Sequence, residues 1–200
     1  MDLEIFKIKK EMNAEINIER SVFIGHSYLV EDEAVAKSII KSVKNKNKEA
    51  THHCSAYMIG RSSQYEFCDD NGEPSGSAGF PILNAIKSYG VTNTLVIVTR
   101  GYYGGKKLGV RGLIEAYGRC AKEVLELSGK IQWLEMVYLL VITPYQSVDS
   151  IMHYLDKNEI KPVYKDFQQF VTFKIELPEK QYAEFSNFLQ QFHDVTFSKI

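Results

Sequence analysis

The sequence contains few cysteines and no long apolar segment. Its three cysteines, Cys54, Cys68 and Cys120, are an odd number and form no CxxC pair, which favours reduced thiols over a disulfide framework. The longest apolar runs, such as 95–98 and 137–142, are too short to span a bilayer. The amino terminus has no basic stretch followed by an apolar one, as a secretory signal would have. We therefore expect a cytoplasmic protein with no membrane partner.

A strong net charge of either sign is also missing, since the chain carries a formal charge of −1. Residues 1–130 contain 18 Lys and Arg against 16 Asp and Glu, a balance of +2, whereas residues 131–200 contain 6 against 9, a balance of −3. A domain that bound nucleic acid through charge alone would be far more basic. The first part of the chain therefore permits a polyanionic partner without requiring one.

The common nucleotide and metal motifs are absent. The sequence has no GxxxxGK followed by Ser or Thr, and no GxGxxG that opens a helix, which argues against a P-loop NTPase and a Rossmann dehydrogenase. It also lacks HExxH and EF-hand spacing. We expect neither a cofactor nor a bound metal.

Glycine is missing from residues 130 to 200, where strand and helix patterns alternate. Runs of β-branched and aromatic residues predict strands over 131–142, 161–167, 170–177 and 194–199. Apolar residues at helical spacing predict helices over 145–157 and 179–192. The resulting order, βαββαβ, is that of a ferredoxin-like domain. We therefore predict an α+β protein with one domain over residues 1–130 and a second over 131–200.

Residues 1–130 also combine strands with helices. Patterns predict strands over 3–8, 14–19, 21–30, 51–59, 64–68 and 93–100. Helices are predicted over 32–46, 77–90 and 108–127, with Gly90 and Gly129 at the ends of the last two. The nearly continuous apolar run 95–98 is typical of a central strand that is buried on both faces.

Two glycine-rich loops, 69–79 and 100–109, each lead into a predicted helix. A strand, a glycine loop and a helix N-terminus together present unpaired backbone N–H groups to an anion. Tyrosines in the second loop would stack on bases, and its basic residues would contact phosphates. The candidate nucleic-acid- or anion-binding residues are Arg100, Tyr102, Tyr103, Gly104, Gly105, Lys106, Lys107 and Arg111. The alternative is that the glycines serve only tight turns and close helix packing.

The acidic residues of the first loop allow two interpretations. Asp69, Asp70 and Glu73, with His52 nearby, suggest a metal or acid–base site. Turn chemistry, or pairing of these acids with Arg100 and Lys106, explains them without a ligand, and we favour this interpretation.

Cys54 lies between His53 and Ser55 on a predicted strand. Residues i and i+2 of a strand are parallel neighbours, so Cys54 and His52 form a poor nucleophile–base pair. We expect Cys54 to be a small buried residue.

Three motifs follow one another along the first domain: Ala50–Tyr57, Asp70–Gly79, and Val98–Arg100 together with Tyr102–Gly109. In this order they resemble the IMPACT family, in particular its bacterial YigZ-like members. The motif-loop residues that the resemblance marks are His52, Asp70, Asn71, Gly72, Glu73, Ser75 and Gly76.

The resemblance implies a first domain with the fold shared by the second domain of ribosomal protein S5 and by RNase PH. It implies a second domain similar to a ferredoxin-like domain of translation elongation factors. Eukaryotic relatives are regulators of translation that bind a partner of a stress kinase. For bacterial members the resemblance implies association with nucleic acid or the ribosome, without an established reaction.

Three positions depart from the family pattern. Gly101 intervenes between Arg100 and the aromatic pair, and Asn71 stands where a second aspartate is frequent, which weakens a two-carboxylate metal site. Arg111 stands where a small residue is usual, and it adds positive charge to the first turn of a predicted helix.

Our leading hypothesis is a non-enzymatic nucleic-acid- or ribosome-associated protein linked to the regulation of translation. One alternative is a metal-dependent hydrolase of a small phosphorylated or peptide substrate, in which Asp70 and Glu73 hold the ion. Another is a protein-interaction module that binds a partner in translation control through the second domain.

Overall fold

The computed structural model describes residues 4–61, 64–102 and 107–200. The chain divides into two compact units, one that ends at Trp133 and one that begins at Leu134. Both units combine helices with antiparallel sheets, which confirms the mixed α and β class.

The first unit contains seven strands and three helices within its described residues, close to the predicted positions. In chain order they are β1 (Phe6–Ile8), β2 (Met12–Ile18), β3 (Ser21–Leu29), α1 (Glu33–Lys46), β4 (His52–Ile59), β5 (Tyr65–Asp69), α2 (Gly79–Tyr89), β6 (Thr94–Tyr102), α3 (Gly109–Ser128) and β7 (Lys130–Gln132).

Five of these strands form one antiparallel sheet in the order β2-β3-β6-β4-β5. The central strand is β6, and its residues Val96, Ile97 and Val98 are fully buried, as predicted. Side chains alternate between the two faces because strand residues have a period of two. Cys54 therefore faces the core beneath α2 and α3, whereas Tyr57 faces the core beneath α1.

The predicted strand 131–142 is in fact two strands. Residues 130–132 form β7, which pairs with β1 in a separate two-stranded sheet, with Phe6 opposite Gln132. The rest of the run belongs to the second unit. A continuous β-rich sequence does not reveal such a division, because strand propensity carries no information about the partner strand.

The second unit has the predicted element order βαββαβ. Its elements are β8 (Met136–Thr143), α4 (Tyr145–Lys157), β9 (Pro162–Phe167), β10 (Val171–Pro178), α5 (Glu179–Leu189) and β11 (Thr196–Lys199). The strands form an antiparallel sheet in the order β11-β8-β10-β9. The helix predicted to reach residue 192 ends at Leu189, although Phe192 still packs against the core and so continues the helical apolar pattern.

The second unit has its own hydrophobic core, which includes Leu139, Ile151, Phe173 and Phe185. None of the helices in the described part of the chain is long and apolar enough to cross a membrane.

Candidate functional site

The first glycine loop connects β5 to α2 and is organised by the side chain of Asp70. One carboxylate oxygen accepts a hydrogen bond from the backbone N–H of Gly76 at 2.7 Å. The other accepts from the N–H groups of Ala78 and Gly79 at 2.9 and 2.8 Å. Partial burial opposes the charge of Asp70, but these three hydrogen bonds outweigh it and lower the pKa of the carboxyl group. The N-terminus of α2 is therefore capped by a carboxylate of the protein itself.

Two glycines allow this loop to pack closely. A Cβ atom on Gly79 would lie 2.7 Å from the backbone nitrogen of Asp69. This distance is too short for any side chain, so only glycine fits at this position. Gly72 has a positive φ of 87°, and a Cβ atom there would lie 3.5 Å from the ring of His52. At these positions the glycines serve turns and close contact, the alternative that the sequence left open.

Glu73 is buried and hydrogen-bonded in the centre of the site. Its side chain is 4% exposed, and its Oε1 atom accepts hydrogen bonds from Arg100 Nη1 at 2.7 Å and from the Tyr117 hydroxyl at 2.8 Å. Arg100 Nη2 also donates to Ser21 Oγ at 3.2 Å, and the guanidinium lies 5.6 Å from the centre of the Phe23 ring. The interpretation that an acid of this loop pairs with Arg100 is confirmed for Glu73.

His52 lies at the edge of this buried network and is half-buried. Its Nδ1 atom is 2.9 Å from the carbonyl oxygen of Asn71, and a carbonyl can only accept, so Nδ1 carries the proton. Its Nε2 atom lies 3.9 Å from Glu73 Oε1, which is longer than a hydrogen bond. Asn71, at a positive φ of 45°, also accepts from the backbone N–H of His53 at 2.8 Å.

Cys54 is fully buried, as predicted, and its thiol donates to the carbonyl oxygen of Asp70 at 3.0 Å. Burial raises the pKa of Cys54 to about 12, with smaller contributions from the acidic residues nearby, so the thiol is neutral and a poor nucleophile. Burial also raises the pKa of Tyr117, and the neighbouring Cys54 and Glu73 raise it further. Tyr117 therefore remains a hydrogen-bond donor.

The carboxylates that the hydrolase hypothesis assigned to a metal ion face different partners. Asp70 faces the N-terminus of α2, whereas Glu73 faces Arg100 and Tyr117. Within residues 4–61, 64–102 and 107–200, no group of three or more His, Cys, Asp and Glu side chains is arranged to hold a metal ion.

The second glycine loop leads into α3. Tyr103, Gly104, Gly105 and Lys106 lie outside the described residues, as does the side chain of Tyr102. Lys107 is exposed, and the side chain of Arg111 is 94% exposed, with its Nε atom 3.2 Å from Glu115 Oε1.

The N-terminus of α3 differs from that of α2. Leu108 occupies the N-cap position without a side-chain hydrogen bond, and the first turn contains no acidic residue. In the described part of the chain no carboxylate caps this helix as Asp70 caps α2. Ser75 and Gly76 are exposed in the first loop, whereas Arg100 is buried and bound to Glu73.

Tyr117 is the site residue that the sequence analysis did not identify as such. It belongs to the apolar stripe of α3 together with Leu113 and Cys120, and by periodicity alone it is a core residue. The sequence could have indicated this role, because a buried tyrosine on an apolar stripe needs a hydrogen-bond partner for its hydroxyl group.

Comparison with known proteins agrees with the motifs. The Impact N-terminal domain family matches residues 19–125, which include both glycine loops and Tyr117. The IMPACT family member YvyE of Bacillus subtilis is 34% identical over 186 residues, which cover 93% of this chain and 85% of that protein. The IMPACT family member YigZ of Escherichia coli is 33% identical over 178 residues, 88% of this chain and 86% of that protein.

Similarity in structure extends over both units. The crystal structure of a hypothetical protein superposes with a TM-score of 0.70 and 29% identity, and the match covers 99% of this chain and 98% of that one. The sequence matches span the motif loops and continue through most of the second unit, and on this agreement the chain belongs to the IMPACT family.

Proposed function

We propose that this chain is a non-enzymatic, nucleic-acid- or ribosome-associated protein that takes part in the regulation of translation. The observation that carries the proposal is the difference between the two glycine loops. The N-terminus of α2 is capped by Asp70, whereas among the described residues no side chain caps α3, whose start is flanked by the exposed cations Lys107 and Arg111. Membership of the IMPACT family supports the link to translation, since the resemblance implies that role for eukaryotic relatives.

An anion fits the first turn of α3 for two reasons that act together. The backbone N–H groups at the start of a helix and the helix dipole favour negative charge there. Lys107 and Arg111 add two cations at the same end of the helix. The exposed ion pair between Arg111 and Glu115 is worth about 0–1 kcal/mol, so a phosphate can displace Glu115 at little cost.

The residues that would have to perform hydrolysis are engaged in holding the fold. Asp70 and Glu73 accept hydrogen bonds from the protein, and Cys54 is a buried neutral thiol. This supports binding over catalysis and makes Arg100 a residue that positions the loop through Glu73. We assign phosphate contacts to Lys107 and Arg111, with Lys106 and the tyrosines of the second loop beside them in sequence.

We further propose that the first unit shares the fold of the second domain of ribosomal protein S5 and of RNase PH, and that the second unit is ferredoxin-like. The order βαββαβ and the strand order β11-β8-β10-β9 support the second assignment. Free thiols at Cys54, Cys68 and Cys120 support the proposal of a cytoplasmic location.

The test is fluorescence anisotropy of a labelled single-stranded RNA with the full chain over a salt series. We expect the double variant Lys107→Ala/Arg111→Ala to weaken binding and to reduce the slope of log K against log salt by about 1.4, because each phosphate contact to a single strand contributes about 0.7. The matched control is Arg119→Ala, since Arg119 is also exposed on α3 and also pairs with a glutamate four residues later.

Equal losses in the double variant and in Arg119→Ala would show that the helix acts only as a diffuse charged surface, and the site assignment would be wrong. If the chain neither bound RNA at low salt nor cosedimented with ribosomes, the proposed function itself would be overturned.

A further inference from the structure

The sheet of the second unit has two edge strands, β9 and β11. On one side β9 pairs with β10, and no strand among the described residues pairs with its other side. An edge strand presents unpaired backbone N–H and C=O groups that can bind another extended chain. Proteins usually protect such an edge with charged or polar side chains.

Beside two charged residues, the β9 edge carries exposed apolar and aromatic side chains. Val163 and Phe167 are 54% and 57% exposed, and Tyr164 and Phe170 are similarly exposed. At the other edge, β11 carries Thr196, Ser198 and Lys199 as its exposed residues. The two edges of one sheet therefore differ in chemistry, and β9 is the apolar one.

The hydrogen-bond pattern shows which residues of β9 face outward. The N–H of Gln168 donates to the carbonyl oxygen of Phe170, and the register continues with Asp166 opposite Thr172. Because ladder bonds alternate along an antiparallel pair, Asp166 bonds to β10, and the backbone groups of Lys165 and Phe167 point away from it. The outward backbone groups thus belong to residues whose side chains are also exposed.

Charge adds a further element of recognition. Lys165 and Phe167 lie on the same side of the strand, whereas Val163 lies at a β-bulge where the register with β10 shifts. No ion pair is found for Lys165 among the residues described. A chain that bound this edge would place apolar residues near Val163 and Phe167 and would gain from an acidic residue opposite Lys165.

We propose that the outer edge of β9 binds an extended peptide segment of a partner protein, which adds a fifth strand to this sheet. The segment carries apolar side chains at alternate positions on either side of an acidic residue. Backbone hydrogen bonds supply the general affinity, and the side-chain pattern supplies specificity. This surface belongs to the second unit, whereas the anion site proposed at α3 belongs to the first.

A second copy of the chain fits this edge less well than such a peptide. Antiparallel pairing of two β9 strands that sets Val163 against Phe167 of the second copy also sets the two Lys165 side chains opposite each other. Like charges directly opposite one another destabilise a strand pair.

The test is a titration of the isotope-labelled full chain, followed by amide NMR spectra, with two probe peptides. Both are octapeptides of alternating valine and threonine, one with a central glutamate and one with a central lysine. We expect the glutamate peptide to shift the amide signals of residues 163–167 and to leave those of residues 196–199 unchanged. The variant Lys165→Glu is expected to reverse the preference between the peptides by about threefold, the size expected of an exposed cross-strand charge pair.

Val163→Ser, at an exposed position, is expected to weaken binding of the glutamate peptide by about threefold through loss of an apolar cross-strand contact, and Thr196→Ser at the other edge is its control. Circular dichroism establishes that each variant is folded. Equal shifts at both edges, or the same affinity for both peptides, would overturn the proposal. A concentration-dependent dimer that Val163→Ser weakens would assign the edge to a second copy and would also overturn it.

Discussion

Glu73 places a carboxylate in the interior of the first unit, between Arg100 and the hydroxyl group of Tyr117. Removal of one partner from a buried ion pair leaves the other charge desolvated, at a cost of about 3–5 kcal/mol. We therefore expect Glu73→Gln to lower the free energy of unfolding by about that amount, measured by urea denaturation. Tyr117→Phe should cost about 1–2 kcal/mol, because the ring is retained and only the hydrogen bond is lost.

The two substitutions share one hydrogen bond and should not be additive. The double variant Glu73→Gln/Tyr117→Phe is expected to lose less stability than the sum of the single variants. Substitutions at surface positions usually change the free energy of unfolding by less than about 0.5 kcal/mol. A change that small for Glu73→Gln would show that the carboxylate is not buried.

Substitution by alanine should have opposite effects on stability at two glycines, one in α2 and one in α3. A Cβ atom on Gly79 would lie 2.7 Å from a backbone atom of Asp69, so Gly79→Ala must shift the chain and should destabilise the protein by about 1–3 kcal/mol. A Cβ atom on Gly118 would lie 3.8 Å from Pro81, an ordinary contact, within the interior of α3. Gly118→Ala should therefore stabilise the protein by up to about 1 kcal/mol.

Thermal unfolding of both glycine variants beside the parent chain measures the two effects. A lower melting temperature for Gly118→Ala would contradict the described spacing between α2 and α3.

At the scale of elements, the N-terminus of α2 depends on Asp70, which lies nine residues before Gly79. Hydrogen bonds from Gly76, Gly79 and Ala78 overcome the effect of partial burial and lower the pKa of Asp70 in the folded state. A lowered folded-state pKa gives stability that is present above the unfolded value, about 3.9, and is lost as the pH falls through the folded value. Asp70→Asn lacks this contribution at every pH.

We expect the parent chain to be more stable than Asp70→Asn by about 1 kcal/mol at pH 7, the size of a helix N-cap. The difference should shrink as the pH falls from 5 to about 2.5, in urea unfolding experiments at fixed salt. Asp166→Asn is a control at a half-buried acid of β9 that caps no helix. A difference that grew on acidification would show that the folded-state pKa of Asp70 is raised, contrary to the geometry.

Elements were largely predictable because their signals are local. The central strand, the alternation that buries Cys54 and the end of α2 at Gly90 all follow from patterns within a few residues. The division of the predicted strand 131–142 into β7 and β8 was not predictable. It depends on pairing with β1, more than 120 residues earlier in the chain.

At the scale of the whole molecule, each unit has a separate hydrophobic core. Leu139 is fully buried in the core of the second unit, and Leu139→Ala should cost about 2–5 kcal/mol there. We expect hydrogen exchange to accelerate in β8 and β10 and to remain unchanged in β6, because the units would then unfold as separate cooperative bodies. Mass spectrometry of peptides from both units measures this. Equal acceleration in β6 would mean that the chain unfolds as one body.

By itself the sequence determined the succession of elements, the buried strand, the position of the two glycine loops and the resemblance to the IMPACT family. Each of these depends on residue types at short and regular spacing. Only the tertiary structure decided that the acidic side chains of the first loop are engaged within the protein. Asp70 caps one helix from across a turn, and Glu73 meets Arg100 and Tyr117, which lie 27 and 44 residues further along the chain. Hydrogen bonds are directional and short, so the role of each polar side chain depends on neighbours that only folding brings within about 3 Å of it.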